Sequence, residues 1–342
     1  MDTADFELVG IGNALVDIFA QKEATLALPE ASKGRHIPVE QLAALVQQLH
    51  EPVLCAGGGA ANTVKLAAQL GLNTAFIGSV GDDGWGAAFA RELETAGAKP
   101  LLVRTDRATG ACVILKAEGA EPSRIFASPS AALELGPEHI QAELVRQTRL
   151  IMLDGYILGR TALVEHVLRL AEQYGTFIAI DAGSREMVQA HAPLLETYCR
   201  TKPLILFLNE DEAQVFCTYL DPRLGLLHPD DIDEADRFRP LQNLTKQDIF
   251  PIIAVKLGDR GGRVFANGET YIAPTQKIVP FDTTGAGDAF AAGFIAAWLR
   301  NRSLSDCAEL GNQLAREIIR IPGTRIETRK LAHFKRSLNR PV

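Results

Sequence analysis

Short apolar runs rich in valine, isoleucine and phenylalanine alternate along this chain with longer segments of helical periodicity. Such runs predict buried strands, and the segments between them predict helices that connect one strand to the next. The predicted strands are Glu7–Gly10, Thr74–Val80, Leu150–Leu153, Phe177–Asp181, Leu204–Leu208 and Ile252–Leu257. The predicted helices are Ala60–Leu70, Gly86–Ala96, Thr161–Tyr174, Glu186–Arg200, Asp211–Leu220, Ala289–Arg300 and Ser305–Ile321. This order predicts an α/β fold with a doubly wound, mostly parallel sheet and helices on both faces.

Two segments, residues 14–39 and 103–127, interrupt the alternation because they have few helical patterns and read as extended chain. We expect them to pair into a small second sheet within a single domain that spans residues 1–342. Ligands of doubly wound folds bind at the carboxyl ends of the strands, so this small β-sheet is predicted to form a lid there. A further segment, 221–249, is interrupted by prolines and is interpreted as an insertion or surface loop of unassigned role.

Composition and charge argue against several classes of protein. The 342 residues carry a net charge of −7, whereas a nucleic-acid binder usually has a basic surplus. Five cysteines without a CxxC spacing argue against a disulfide framework or a zinc site and suit a reducing compartment. The N-terminus lacks a signal-peptide pattern, and the longest apolar run, Ala289–Leu299, is shorter than the roughly 20 residues that span a bilayer. We therefore expect a cytoplasmic protein with no nucleic-acid or membrane partner.

The strongest motif is Asp-Thr-Thr-Gly-Ala-Gly-Asp at residues 282–288, directly before an apolar helical run. Glycines allow a tight turn and the close approach of a ligand. The free amides and the dipole of the following helix favour an anion such as a phosphate. Asp288 could accept the proton of a hydroxyl that attacks phosphorus. The alternative is a simple helix cap, which needs no ligand. A Walker A loop is excluded because no Gly-Lys-Ser/Thr follows.

This motif resembles the second signature of the ribokinase-like (PfkB) carbohydrate kinases. The resemblance implies that Asp288 is the catalytic base. It also implies that the backbone amides of Gly285, Ala286 and Gly287 form an anion hole for the transferring phosphoryl group. Further motifs extend the resemblance over roughly residues 6 to 330, in the order that the family has them.

A glycine run at 57–59 followed by Ala-Ala-Asn resembles the first signature of the same family. The segment Gly10–Asp17, at the end of the first predicted strand, is similar to the place where relatives hold substrate hydroxyls with an aspartate. The resemblance implies a substrate site made of Asn13, Asp17, Gly57, Gly58 and Asn62. A flexible turn is the alternative for the first segment. A dinucleotide fingerprint is the alternative for the second, although Leu15 stands where its third glycine belongs.

Two more segments are similar to the nucleotide and metal regions of these kinases. Asn-Glu-Asp-Glu at 209–212 matches the NxxE motif, which implies that Asn209 and Glu212 organise Mg²⁺ through water; a solvated, acidic helix start is the alternative. The segment 255–262 resembles the strand and turn beside ATP. The resemblance implies that nucleotide contacts come from Lys256, Gly258, Gly261 and, in the last predicted helix, Asn312. A surface asparagine is the alternative for the last of these.

The implied activity is transfer of the γ-phosphoryl group of Mg-ATP to a hydroxyl of a small sugar. The chain looks closest to adenosine-kinase-like and fructokinase-like members, so a nucleoside acceptor is the first alternative. A non-catalytic sugar or nucleoside binder and a nicotinamide-dependent dehydrogenase are alternatives from other classes. Many relatives also hold K⁺, to which Asp282 and Thr284 could contribute. Exposed strand edges are often covered by a partner, so a homodimer through the lid strands is a further expectation.

A sugar phosphate as acceptor would require an additional basic group in the lid regions. The candidates in the sequence are Arg35, Arg104, Arg107 and Lys116. The alternative is that these charges belong to the solvated face of an exposed sheet, which is the commoner role of such residues.

Overall fold

The computed structural model describes residues 5–22, 26–29, 36–116, 124–226, 233–246, 251–320 and 326–339. The strands, in chain order, are β1 (Phe6–Ile11), β2 (Leu15–Gln21), β3 (Val53–Gly57), β4 (Thr74–Gly81), β5 (Ala98–Thr105), β6 (Gly110–Lys116), β7 (Arg124–Ser128), β8 (Thr148–Asp154), β9 (Phe177–Asp181), β10 (Leu204–Asn209), β11 (Ile252–Lys256), β12 (Gly262–Ala266) and β13 (Glu269–Ala273). The α-helices are α1 (Val39–Val46), α2 (Gly59–Leu70), α3 (Gly84–Ala96), α4 (Ala142–Arg146), α5 (Thr161–Tyr174), α6 (Arg185–Thr201), α7 (Glu210–Leu220), α8 (Glu234–Leu244), α9 (Ala286–Trp298), α10 (Leu304–Ile318) and α11 (Thr328–Asn339).

Two sheets organise these elements. The large sheet has the strand order β13-β12-β11-β10-β9-β8-β1-β4-β5 and is parallel from β11 to β5. The strands β12 and β13 extend it by antiparallel hairpins. The small sheet has the order β3-β2-β6-β7. This architecture confirms the predicted fold class, a mostly parallel α/β sheet with a smaller sheet attached.

The central strands are apolar on both faces because helices cover both sides of the large sheet. Leu8 and Leu150 pack into one hydrophobic cluster with α2, α9 and α10. Their neighbours Val9 and Ile151 point the other way, into a second cluster with α5, α6 and α7. This alternation is the period of two that a strand imposes. A third cluster lies between the small sheet and α1.

The small sheet draws β2 from segment 14–39 and β6 and most of β7 from segment 103–127. Its edge strand β3 comes from residues between these segments and was not predicted. Because β2 starts only four residues after β1 ends, the small sheet is attached directly at the carboxyl edge of the large one. Within the described residues, no helix is both long and apolar enough to cross a membrane.

The interpretation of residues 221–249 as a surface loop is wrong for part of the segment. Residues 234–244 form α8, which contains Pro240, and Phe238 and Leu241 are fully buried in the second cluster. Tertiary packing of an apolar face outweighs the low helix propensity that prolines and acidic residues give this stretch. Residues 227–232 and 247–250 lie outside the described residues.

The helix α9 is held rigidly because its backbone packs directly on α10. A Cβ atom added at Gly293 would lie 2.8 Å from the carbonyl oxygen of Leu310, and one at Gly311 would lie 2.8 Å from that of Phe290. Any larger residue would separate the two helices. The close contact fixes the axis of α9, and with it the position of the motif at its N-terminus.

We expect Phe207→Ala to lower the free energy of unfolding by about 3–5 kcal/mol. Phe207 lies on β10, is fully buried and meets the rings of Phe290 and Phe294 edge-on, with centroids 6.4 and 5.4 Å away. Its removal leaves a cavity between the sheet and α9. Val279→Ala, at a side chain that is 94% exposed, is the control and should change stability by less than about 0.5 kcal/mol. Urea unfolding of both variants measures the difference, and equal midpoints would contradict the predicted packing.

Candidate active site

The motif at residues 282–288 forms the entry to α9. Gly285 is the residue before the helix and has a φ of 78°, a left-handed conformation that glycine adopts without strain. The helix begins at Ala286, so Gly287 and Asp288 lie in its first turn. Amides of a first turn have no partner inside the helix, and the dipole makes this end attractive to an anion. The sequence predicts an anion hole at this helix start, where the amide of Ala286 donates a hydrogen bond of 3.2 Å to the carbonyl oxygen of Thr283.

The carboxylate of Asp288 meets the N-terminus of a second helix, α2. Asn62 in the first turn of α2 donates a hydrogen bond from Nδ2 to Oδ2 of Asp288, at 2.9 Å. Thr63 Oγ1 lies 3.4 Å from the backbone carbonyl oxygen of Asp288. A Cβ atom added at Gly59 would lie 3.4 Å from Oδ1, so the glycine run of α2 also faces this carboxylate. The two sequence motifs thus meet at Asp288.

The pKa of Asp288 is raised to about 7, first because the carboxyl is buried and then because Asp181 lies nearby. The hydrogen bond from Asn62 and the charge of Lys256 act in the opposite direction. A carboxyl of this kind exchanges its proton near neutral pH, which suits a group that takes a proton during a reaction.

Asp17 on β2 is the second carboxylate of the site, and its side chain is buried. Gly57 on β3 packs against it so closely that an added Cβ atom would lie 2.1 Å from the carboxylate. Burial raises the pKa of Asp17 to about 7, and the nearby charge of Asp288 adds to this effect, while Lys65 opposes it. The sequence patterns did not identify Lys65, a fully buried lysine on α2 that donates to the carbonyl oxygen of Ala56.

Asn13 and Gly58 complete the predicted substrate group. Gly58 has a φ of 94°, and a Cβ atom there would lie 2.2 Å from the carbonyl oxygen of Asn13, so both conformation and space require glycine. The side chain of Asn13 is buried and accepts a hydrogen bond at Oδ1 from Arg160 Nη2. Arg160 had not been predicted, because it is 147 residues away in the chain.

A further carboxylate that the sequence patterns missed, Asp154, lies at the carboxyl end of β8. It is buried, its Oδ2 atom has no hydrogen-bond partner among the described residues, and burial raises its pKa to about 6. The charge of Asp154 contributes to the raised pKa of Asp288. Its position after an apolar strand of a parallel sheet was the signal that could have identified it, since ligands bind at that edge.

Asp181 and Lys256, at the ends of β9 and β11, form a charged group with Glu212 in the first turn of α7. Lys256 Nζ lies 2.6 Å from Oδ2 of Asp181. The Glu212 carboxylate accepts hydrogen bonds from the backbone and side-chain nitrogens of Asn209, both at 2.7 Å, so the two residues form a capping box. The pKa of Glu212 is raised to about 7, first by burial and then by the charge of the nearby Asp181. Lys256 Nζ would lie 3.1 Å from a Cβ atom at Gly287, which connects this group to α9.

The remaining predicted nucleotide residues lie together, on the hairpin beyond β11. Gly258 and Gly261 have φ values of 60° and 93°. A Cβ atom at Gly261 would lie 2.2 Å from the carbonyl oxygen of Ala273. The same oxygen accepts a hydrogen bond of 2.7 Å from Asn312 Nδ2. Asn312 is buried, so the alternative of a surface asparagine is wrong; helix α10 packs its polar side chain against the hairpin.

The oxygen atoms near the site suit Mg²⁺ better than K⁺, the two cations expected from the sequence. Asn209, Glu212 and Asp181 offer hard oxygen atoms, which Mg²⁺ prefers together with retained water. Among the described residues, no three His, Cys, Asp or Glu side chains are grouped to enclose a metal ion, so any ion would keep water or ligand oxygens. Asp282 does not fit K⁺ well, because Oδ1 already accepts from Thr284 and Oδ2 lies 3.3 Å from Lys116 Nζ.

Comparison with known proteins gives consistent findings. A sequence profile described as pfkB family carbohydrate kinase matches residues 34–331. An ATP-dependent ribose-1-phosphate kinase from Halopiger xanaduensis is 29% identical over 75% of this chain and 77% of its own length. The adenosine kinase of Saccharomyces cerevisiae is 27% identical over 96% of this chain and 99% of its own. The crystal structure of adenosine kinase from Sinorhizobium meliloti superimposes with a TM-score of 0.82 at 27% identity, covering 97% of this chain and 99% of that one.

The raised pKa of Asp288 predicts how its replacement changes stability with pH. In the unfolded chain this carboxyl has an ordinary pKa of 3.8, so between about pH 4 and pH 7 folding takes up a proton, and stability falls as the pH rises through this window. We therefore expect Asp288→Asn to stabilise the protein at about pH 8, on the order of 2 kcal/mol, and much less at about pH 5.

Chemical denaturation of both proteins at the two pH values measures this difference. Asp106→Asn, which removes an exposed carboxylate, is the matched control and should change stability equally at both. An Asp288→Asn variant that is stabilised no more at pH 8 than at pH 5 would show that the carboxyl is not perturbed as described.

Proposed function

The chain belongs to the pfkB carbohydrate kinase family, and from this premise we propose that it transfers the γ-phosphoryl group of ATP to a hydroxyl of a small sugar, with Asp288 as the general base. Its relatives include kinases of sugars and nucleosides, and the chain is a kinase of this class. The position of Asp288 at the start of α9 is the observation that supports its assignment as the base. Asp288 is a half-buried carboxylate in the first turn of α9, which accepts a hydrogen bond from Asn62 and has a pKa raised to about 7.

The proposed reaction is an in-line transfer. The acceptor hydroxyl oxygen forms a bond to the γ-phosphorus while the bond from that phosphorus to the β–γ bridging oxygen breaks, which releases ADP. The hydroxyl proton passes to Asp288 as the new bond forms, because a carboxylate is too weak a base to remove it beforehand. The amides of Gly285, Ala286 and Gly287 would stabilise the charge on the transferring group.

The acceptor would lie between β2, α2 and the end of β1. Asp17, Asn13 and Asn62 supply side-chain donors and acceptors there, and Gly57 and Gly58 allow the backbone to approach the ligand. Asp154, whose Oδ2 atom is without a hydrogen bond in the described chain, is a further acceptor for a sugar hydroxyl. Hydrogen bonds from ligand hydroxyls would satisfy these polar groups of the protein. The same hydrogen bonds would position the reacting hydroxyl at Asp288.

The nucleotide would lie along the hairpin beyond β11, where Gly258, Gly261 and Asn312 meet. Lys256, close to Gly287, would contribute positive charge beside the phosphates. Mg²⁺, held through water by Asn209 and Glu212, would neutralise charge on the phosphate oxygens. Closure of the small sheet as a lid would exclude water, and its exposed strand edges are a surface through which two copies could pair.

A nucleoside acceptor is the second candidate. It is favoured by the adenosine kinases, which match this chain over nearly its whole length in sequence and in fold. A non-catalytic binder is disfavoured because Asp288 and the turn before it are intact. Both kinase candidates use the same base and the same anion hole, so they differ only in the acceptor.

We expect Asp288→Asn to lower kcat by about 10³-fold or more while ATP still binds, because the amide cannot take the proton. Coupled detection of ADP with ribose, fructose, adenosine, other nucleosides, ketodeoxygluconate and fructose phosphates measures turnover and identifies the acceptor. Asp106→Asn serves again as the surface control. Turnover that survives in Asp288→Asn at the rate of the unchanged protein would remove Asp288 from the mechanism.

Glu212→Gln should raise the Mg²⁺ concentration needed for half-maximal activity by about 10-fold, since groups that orient a metal and its waters typically contribute this much. Glutamine can keep the capping box with Asn209, so the helix should remain intact. Asp211→Asn changes the exposed neighbour and should leave the Mg²⁺ requirement as it was. Identical Mg²⁺ titrations for Glu212→Gln and the unchanged protein would contradict a metal role for this residue.

A further inference from the structure

Three lysines around the site are each paired with a carboxylate. These ion pairs are Lys65–Glu92 (2.7 Å), Lys256–Asp181 (2.6 Å) and Lys116–Asp282 (3.3 Å). Of the basic residues that the sequence suggested for a phosphorylated acceptor, Arg107 pairs with Glu134 and Arg104 donates to the carbonyl oxygen of Gly81. Arg35 lies outside the described residues. The sequence candidates within the described chain are therefore already engaged by the protein itself.

Arg160 is different from these lysines because its partners are neutral. It is partly buried and donates from Nη1 to the carbonyl oxygen of Ala132, at 2.8 Å, and from Nη2 to Oδ1 of Asn13. Among the described residues, no carboxylate oxygen lies within 4.0 Å of its guanidinium nitrogens. The charge of Asp154 acts on the guanidinium from a longer distance. Burial lowers the pKa of the guanidinium, as expected for a cation without a paired anion.

The guanidinium keeps donors for a ligand. It has five N–H groups in a planar fork, of which these two hydrogen bonds use two. The fork matches the oxygens of a phosphate or a carboxylate, and a desolvated cation gains most from an anion beside it. A neutral sugar would leave this charge uncompensated. The proposed acceptor site is also lined by Asp17, Asp154 and Asp288, which would repel an anionic ligand unless a cation stood next to its charged group.

We propose that Arg160 binds an anionic group of the acceptor, so that the substrate is a sugar that already carries a phosphate or a carboxylate. This inference rests on the proposed function, because it uses Asn13 as part of the acceptor site. The hydrogen bond from Arg160 to Asn13 puts the anionic group at the Asn13 end of that site, while the hydroxyl that reacts lies at Asp288. Arg160 is thus a specificity-determining residue.

Kinetics with matched acceptors test the proposal. ADP formation is measured with ribose-1-phosphate, ribose, ketodeoxygluconate and adenosine, for the unchanged protein, Arg160→Gln, Arg160→Lys and the exposed control Arg107→Gln. We expect kcat/KM for one of the two anionic sugars to exceed that for ribose and adenosine by about 100-fold or more. The phosphate and carboxylate arms identify which anion the site takes.

Arg160→Gln should lower kcat/KM for the anionic sugar, mainly by raising KM. The fold loss for the anionic sugar should be at least about 10 times the fold loss for a neutral acceptor. Arg160→Lys should recover part of the loss, because it keeps the charge but not the fork. Arg107→Gln should not change the preference for an anion. A preference for neutral acceptors, or an equal loss on both kinds of acceptor in Arg160→Gln, would overturn the proposal and leave Arg160 as a support for Asn13.

Calorimetric binding of ribose-1-phosphate and ketodeoxygluconate to the full chain separates this proposal from the proposed function. Absence of ADP formation with every acceptor would count against the kinase assignment alone. Binding of either anionic sugar that Arg160→Gln weakens 10-fold or more, with ribose not binding, would still support the anion site. Absence of binding by both anionic sugars, or binding that is the same in the variant, would overturn it. Thermal unfolding establishes that the compared variants are folded.

Discussion

The meeting of two helix N-termini at one half-buried carboxylate, Asp288, is the constraint on which the rest of the site depends. The helices α2 and α9 lie on the same face of the large sheet, and each begins after a glycine with positive φ. The hydrogen bond from Asn62 to Asp288 joins them across 226 residues of chain. A shift of either helix would break this bond, so the packing of α9 on α10 and of both helices on the sheet determines the chemistry at their ends.

Crowding of carboxylates is the cost of this arrangement. Burial raises the pKa values of Asp17, Asp154, Glu212 and Asp288 toward neutrality, and the negative charges repel one another. Nearby lysines offset only part of this repulsion. The large apolar core on both faces of the sheet must therefore stabilise a site that is unfavourable by itself, which is common where function requires perturbed groups. A ligand that brings magnesium and hydroxyl groups would reduce this repulsion, because a cation and hydrogen-bond donors stabilise the charged carboxylates.

Contiguous motifs are what made much of the site predictable. Glycines that need positive φ or close approach stand beside the side chains they serve, as Gly285 does for Asp288 and Gly58 for Asn62. Long-range partners were missed for the opposite reason. Arg160 and Asn13 are far apart in sequence, and Lys65 on its helix looks like any exposed lysine. Helix α8 was hidden by Pro240 and by its acidic residues, because only packing in the core reveals its apolar face.

The sequence by itself determined the fold class, the family and the chemical character of the strand ends, because periodicity of apolar residues and short glycine motifs are local properties of the chain. Only the tertiary structure decided which groups face one another. It brought Asn62 to Asp288, buried Asn312 against the carbonyl oxygen of Ala273 and left Arg160 without an anion among the described residues. Burial, charge pairing and pKa depend on distances through space between segments that are remote along the chain, and a local pattern does not contain those distances.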